Sequence, residues 1–184
     1  GRSIAHRFAA EGGRVVIADL NQVNGERVAD EIGKQGGTAR FVQVDVAKEQ
    51  DIDLLIQKAT EAFGPVHVAV SNAGIAESAS SALDISAEEW DKVYAINARG
   101  SFLFSRACAR NMMDNDIKGA IVTLSTLMAR SGKGMSGAYA SSKASVVMFT
   151  KTLAKCLAPM GIRVNCVSPG VIATDIYKNV EKEM

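Results

Sequence analysis

Tyr139 and Lys143 stand four apart in the run Tyr139-Ala140-Ser141-Ser142-Lys143. On a helix, that spacing sets both side chains on one face. A phenol with a pKa of about 10 is a poor base near neutrality. A neighbouring ammonium favours the phenolate and lowers that value. A tyrosine so placed can take the proton of an alcohol as hydride leaves, or return it in the reverse direction. The pair follows a short apolar run that ends in Ser125-Thr126, which strengthens the reading.

Other polar residues close short apolar runs in the same way: Asp19, Asp45, Asn72-Ala73-Gly74 and Pro169-Gly170. Asp19 is the most informative of them. A carboxylate at the end of a second strand can accept hydrogen bonds from both hydroxyls of an adenosine ribose. It also repels a 2′-phosphate, so it favours NAD over NADP. Asp19 lies close to the ~20 residues expected beyond a glycine fingerprint. Gly1 would then be the last glycine of that fingerprint, at a helix N-terminus whose N–H groups receive a pyrophosphate. Leu20, rather than an arginine, follows Asp19 and counts against NADP. The small residues Asn72-Ala73-Gly74 would let a flat cofactor approach the backbone.

These residues need a scaffold that gathers strand ends. Apolar spacing predicts helices over 2–11, 23–34, 49–63 and 138–158, and a long one from 87 to about 111. Ser86-Ala87-Glu88-Glu89 reads as a capping box for the long one. Strands are predicted at 15–18, 39–44, 66–70, 120–124 and 162–167. Several are near-continuous apolar runs, each separated from the next by a helix, as in a parallel sheet covered on both faces. The expected fold is α/β: a doubly wound, Rossmann-like parallel sheet in three α/β/α layers, forming one domain over 1–184. In such a sheet ligands bind beyond the carboxyl ends of the strands, where all five polar endings fall.

In this order and spacing, Asp19, Asp45-Val46, Asn72-Ala73-Gly74, Tyr94-Ala95-Ile96-Asn97, Ser125-Thr126, Tyr139…Lys143 and Pro169-Gly170-Val171-Ile172-Ala173-Thr174 resemble the short-chain dehydrogenase/reductase family along the whole chain. The resemblance implies a nicotinamide-dependent oxidoreductase acting on an alcohol or ketone. Tyr139 would be the acid/base, and Lys143 would lower its pKa and bind the nicotinamide ribose. Asn97 would hold a water in a proton relay through its helix. Asp45 and Val46 would meet the adenine, and Ile172 and Thr174 the carboxamide. The family places a substrate-binding serine thirteen positions before the tyrosine. Thr126 stands there, with Ser125 beside it. Threonine offers the same donor and acceptor. Spacing favours Thr126, and a one-residue difference in the following loop would hand the role to Ser125.

Composition bounds the partners. A net charge of +1 argues against a nucleic-acid binder, and no apolar run is long enough to span a membrane. Cys108, Cys156 and Cys166 form no CxxC pair, so no metal site is expected and a packing role is. An odd cysteine count fits a reducing, cytoplasmic setting. His6 and His67 read as isolated structural or surface residues. The chain opens on a helical pattern and breaks off in a polar stretch, so a longer protein is expected, with the first, central strand and the C-terminal end missing. Those 184 residues alone are expected to fold poorly and bind NAD weakly. Candidate substrate-lining stretches are 77–82, 128–136 and 176–177. They point to a small secondary alcohol or ketone, such as a polyol, sugar or hydroxyacyl compound. The two long helices resemble the family's subunit contacts and imply a homotetramer or homodimer. The alternatives are an NADPH-dependent 3-oxoacyl reductase and a non-catalytic cofactor-sensing module.

Overall fold

The computed structural model describes residues 1–131 and 136–172. The chain divides into two compact units, Gly1–Val66 and His67–Met184.

The first unit runs α1 (Arg2–Ala10), β1 (Arg14–Asp19), α2 (Gln22–Lys34), β2 (Thr38–Gln43) and α3 (Glu49–Phe63). β1 and β2 pair in parallel from Arg14↔Thr38 to Asp19↔Gln43, with α2 as the crossover that parallel neighbours need. Ala5 of α1 and Val28 and Ile32 of α2 form a core on which Ala9, Val15, Ile17 and Ala39 pack. Ile52, Leu55 and Ala59 bury one face of α3, which packs on β1. Gly64 ends α3 at φ 82°, a left-handed conformation that costs glycine nothing. His6 is not isolated. Its Nε2 lies 3.1 Å from Glu31 and its Nδ1 3.1 Å from Gln35, while Arg2 Nε donates to the same Glu31 at 2.8 Å. The group ties α1 to α2.

Two glycines of α2 differ in their surroundings. A Cβ at Gly25 would lie 2.1 Å from Phe41 Cε2 and 2.2 Å from Cδ2, whereas one at Gly33 would meet nothing within 4 Å. Alanine favours a helix interior over glycine by about 0.8–1.0 kcal/mol, while overpacking costs about 1–3 kcal/mol. Gly33→Ala is therefore expected to raise the urea midpoint, and Gly25→Ala to lower it by displacing the Phe41 ring.

The second unit runs β3 (Val68–Ser71), α4 (Ala87–Tyr94), a π-helical turn (Ala95–Gly100), α5 (Ser101–Asp114), β4 (Ala120–Leu124), α6 (Met128–Ser131), α7 (Gly137–Leu157), a 3-10 turn (Ala158–Met160) and β5 (Arg163–Val167). The strands lie in the order β3-β4-β5, all parallel. α5 packs on β3 and β4, and α7 on β4 and β5. Buried Thr123 of β4 and Thr150 of α7 share a hydroxyl–hydroxyl bond of 2.7 Å that fixes the helix to the strand.

Parallel pairing and strand–helix alternation are those of the doubly wound α/β class. The described strands form two sheets, one in each unit. The strand expected at 66–70 begins at Val68, because pairing with β4 starts at Val68↔Ala120, and His67 lends only its carbonyl to Ala120 N. The helix expected from 87 to about 111 is interrupted by the π-helical turn and continues to Asp114. Ser86 Oγ caps α4 by accepting from Glu89 N at 3.1 Å. The Glu89 carboxylate does not close the box. It takes Ser78 N and Ser78 Oγ, at 2.6 and 2.7 Å. Cys108 is buried as expected, but Cys156 is exposed, so packing does not explain it.

Candidate active site

The residues that could move a proton meet in the second unit, at the carboxyl ends of β3 and β4 and the N-terminal half of α7. Tyr139 and Lys143 sit one helical turn apart on α7, and both are buried. Lys143 Nζ donates to the main-chain oxygen of Leu124, the last residue of β4, at 2.9 Å. Ser125 Oγ donates to the main-chain oxygen of Lys143, also at 2.9 Å. Strand end and helix are thus bonded to each other in both directions. Burial lowers the Lys143 pKa from 10.5 to about 8, with Cys166 nearby acting weakly in the opposite sense.

Asn97 lies in the π-helical turn and is fully buried. Its Oδ1 accepts from Ile75 N and its Nδ2 donates to Ile75 O, each at 2.9 Å. The same Nδ2 donates to Ser142 Oγ at 3.0 Å, and Ser142 Oγ donates to Tyr139 O at 2.8 Å. The main-chain oxygen of Asn97 accepts from Ser101 Oγ at 2.7 Å. Gly74 closes the group. A Cβ there would stand 3.0 Å from Lys143 Nζ and 3.1 Å from Asn97 Oδ1, so no larger residue fits without moving the lysine.

Thr126 and Ser125 are equally buried but differently engaged. The Ser125 proton is spent on Lys143 O, whereas Thr126 Oγ1 accepts from Met128 N at 3.3 Å and has no acceptor for its own proton among the described residues. Beyond the strands, Ser125 N donates to Val167 O and Leu127 N to Pro169 O, so Ser125-Thr126-Leu127 runs beside Pro169-Gly170. Asn72 and Ala73 are exposed at the end of β3, and Ile172 is exposed beyond β5. Thr174, Ile176 and Tyr177 lie outside the described residues.

In the first unit, Asp19 is exposed at the end of β1, with Oδ1 accepting from Asn21 N at 2.9 Å. Leu20 beside it is exposed. Gly1 precedes α1, whose first turn has neither a side-chain cap nor an acidic residue. Asp45 follows β2. Its Oδ1 accepts from Ala47 N at 3.0 Å, its Oδ2 lies 3.8 Å from Lys48 Nζ, and Val46 beside it is half-buried. No His, Cys, Asp and Glu cluster suited to a metal occurs among the described residues. No described helix is long and apolar enough to cross a membrane.

The sequence reading missed two members of this group. Ser142 bridges Asn97 to Tyr139, and its position three after Tyr139 could have revealed it. Glu77, named only within a substrate-lining stretch, is buried and holds the start of α7, with Oε1 accepting from Ala138 N at 3.1 Å and Oε2 from Tyr139 N at 2.9 Å.

A family model described as enoyl-(acyl carrier protein) reductase matches residues 1–184. The chain is 37% identical over 184 residues to glucose 1-dehydrogenase 2 of Bacillus subtilis, covering all of this chain and 71% of that protein. It is 38% identical over 173 residues to cyclopentanol dehydrogenase of a Comamonas species, covering 94% of this chain and 68% of that protein. The crystal structure of a short-chain type dehydrogenase/reductase from Mycobacterium marinum superposes with a TM-score of 0.94 at 34% identity, over 99% of this chain and 72% of that one. Motifs, parallel α/β fold and relatives agree: the chain belongs to the short-chain dehydrogenase/reductase family, whose members are oxidoreductases that use nicotinamide cofactors.

Proposed function

We propose that this protein transfers hydride between NAD(H) and a secondary alcohol or its ketone, with Tyr139 as the acid/base. The observation that carries the reading is the convergence of Tyr139, Lys143, Asn97, Gly74 and the Ser125-Thr126 strand end on one buried cluster. NAD(H), when bound, supplies the hydride acceptor or donor. The Lys143 ammonium favours the phenolate of Tyr139, which takes the alcohol proton in oxidation and returns it in reduction. The Thr126 hydroxyl donates to the substrate oxygen, a role supported by the retained proton that Ser125 lacks. The side chain of Asn97 is committed to Ile75 and Ser142, so a relay water would rest on its main-chain oxygen.

The rest of the chain fits such a cofactor. The uncapped first turn of α1 after Gly1 offers N–H groups to a pyrophosphate. Asp19 would hold the adenosine ribose beside Leu20, and Asp45 and Val46 the adenine. Asn72, Ala73, Gly74, Pro169, Gly170, Ile172 and Thr174 would line the nicotinamide end, with Lys143 on its ribose. One dinucleotide-binding domain over 1–184 is part of this reading. The dehydrogenases it resembles act on a sugar and on a cyclic alcohol, which points to a ring-borne hydroxyl as substrate. A homotetramer is also proposed, with α5 and α7 as contact helices. Phe102 and Phe149 meet edge to face there, with Phe102 and Met148 exposed. A cytoplasmic setting accords with the three free cysteines.

The test is a titration of the full-length protein with NADH and NADPH, followed by nicotinamide fluorescence, and then an alcohol screen with NAD⁺. Two charges about 4 Å apart near a protein surface interact by roughly 1–4 kcal/mol, so NADH is expected to bind about 5- to 1,000-fold more tightly. Asp19→Asn keeps acceptors for the turn and one ribose hydroxyl but removes the repulsion, and should narrow the gap. Preference for NADPH would turn the reading towards a 3-oxoacyl reductase. Binding of neither would leave a non-catalytic module.

A further inference from the structure

We propose that Glu77 is a positioning residue that locks the first turn of α7 and thereby places Tyr139 for proton transfer, a role that rests on the function proposed above. An α-helix leaves its first N–H groups without intrahelical partners, and the residue before the helix usually supplies the cap. Ser136 occupies that position but has φ 105° and makes no side-chain cap bond. The carboxylate of Glu77 does the work from elsewhere in the chain. One oxygen takes Ala138 N at 3.1 Å and the other takes Tyr139 N at 2.9 Å, across sequence separations of 61 and 62 residues. Glu77 is 8% exposed, so both bonds form away from water, where charge-assisted bonds are strong. A negative charge also suits the positive end of a helix.

The carboxylate itself is held on both sides. Two residues before it, Ile75 is clamped through its N–H and carbonyl by the Asn97 side chain. In the next position, Ser78 is clamped through its N–H and hydroxyl by Glu89 of α4. At Gly137, a Cβ would lie 3.1 Å from Ala82 and 3.2 Å from Ile85, so the segment leading to α4 also abuts the start of α7. Residues 75–78 thus form a strap from the π-helical turn and α4 to the backbone of the tyrosine.

The experiment compares wild type, Glu77→Gln and Glu77→Ala in the full-length protein. It reads kcat, KM, NADH dissociation constant and amide exchange at Ala138 and Tyr139. Misplacement of a reacting group by about 1 Å costs up to about 100-fold in rate. Glu77→Ala is expected to lose amide protection at both positions and to lower kcat about 10- to 100-fold, with the NADH dissociation constant unchanged within twofold. Glu77→Gln, which keeps one acceptor oxygen, should recover part of kcat and protection of one amide. Unchanged amide protection in Glu77→Ala would overturn the proposal, as would an unchanged kcat, or kcat and NADH affinity falling together. If wild type turned over no alcohol, the proposed function would fail, and the exchange data would still decide whether Glu77 holds the turn.

Discussion

Tyr139→Phe is expected to lower kcat for alcohol oxidation by about 10²–10⁴-fold, the range of a positioned general acid/base. NADH binding should stay within about twofold. The substitution removes one oxygen and leaves a ring of the same shape. Tyr139 is 9% exposed, so that ring stays buried. The helix around it is fixed at points the substitution does not touch: the Glu77 carboxylate on the Tyr139 N–H, Ser142 Oγ on the Tyr139 carbonyl, and Thr150 on Thr123 further along. Loss of rate can then be assigned to the phenol. Steady-state kcat, with a parallel NADH titration, checks it. A kcat within threefold of wild type would remove Tyr139 from the chemistry, and another group would have to carry the proton.

What the sequence disclosed follows the distance over which each feature is determined. The helix read at 49–63 is observed with those bounds, because Ile52, Leu55 and Ala59 carry the period and Gly64 stops it. The strand at 120–124 is an apolar run between Gly119 and Ser125, and it too is found as read. The Tyr139–Lys143 relation is local to one turn, so spacing was enough. The π-helical turn was not legible. Its neighbours keep helical periodicity, and the extra residue is accommodated where Asn97 bonds to Ile75, 22 positions away. The four residues of α6 are too few to show a period. Glu89 answers the capping-box pattern but is drawn off by Ser78. Glu77 had no local signal, since both its partners lie more than 60 residues on. That Ser125 spends its hydroxyl proton on Lys143 O depends on tertiary geometry alone.

Lys143→Met is expected to separate stability from activity. Lys143 is 3% exposed, its ammonium has Leu124 O as an acceptor, and burial lowers its pKa from 10.5 to about 8. Below pH 8 the lysine is protonated in both the folded and the unfolded chain, so the folded state bears the whole cost of the buried charge. At about 1.4 kcal/mol per tenfold change in proton affinity, that cost is about 3 kcal/mol. Between pH 8 and 10.5 the folded protein releases the proton while the unfolded chain keeps it, so stability rises with pH and the cost fades. Methionine fills a similar volume without charge but leaves the Leu124 carbonyl unpaired, at about 1–2 kcal/mol. At pH 7 the variant should therefore unfold at higher urea than wild type, by about 1–2 kcal/mol, and the advantage should vanish or reverse near pH 10. Its kcat/KM should meanwhile fall by about 10²–10³-fold, as when a charged donor is removed from a reacting centre. A variant less stable than wild type at pH 7 would show that the ammonium is compensated in the fold. If the variant instead proves more stable and inactive, the lysine is kept against the interest of the fold. The reason would lie in what its charge does to the phenol one turn away.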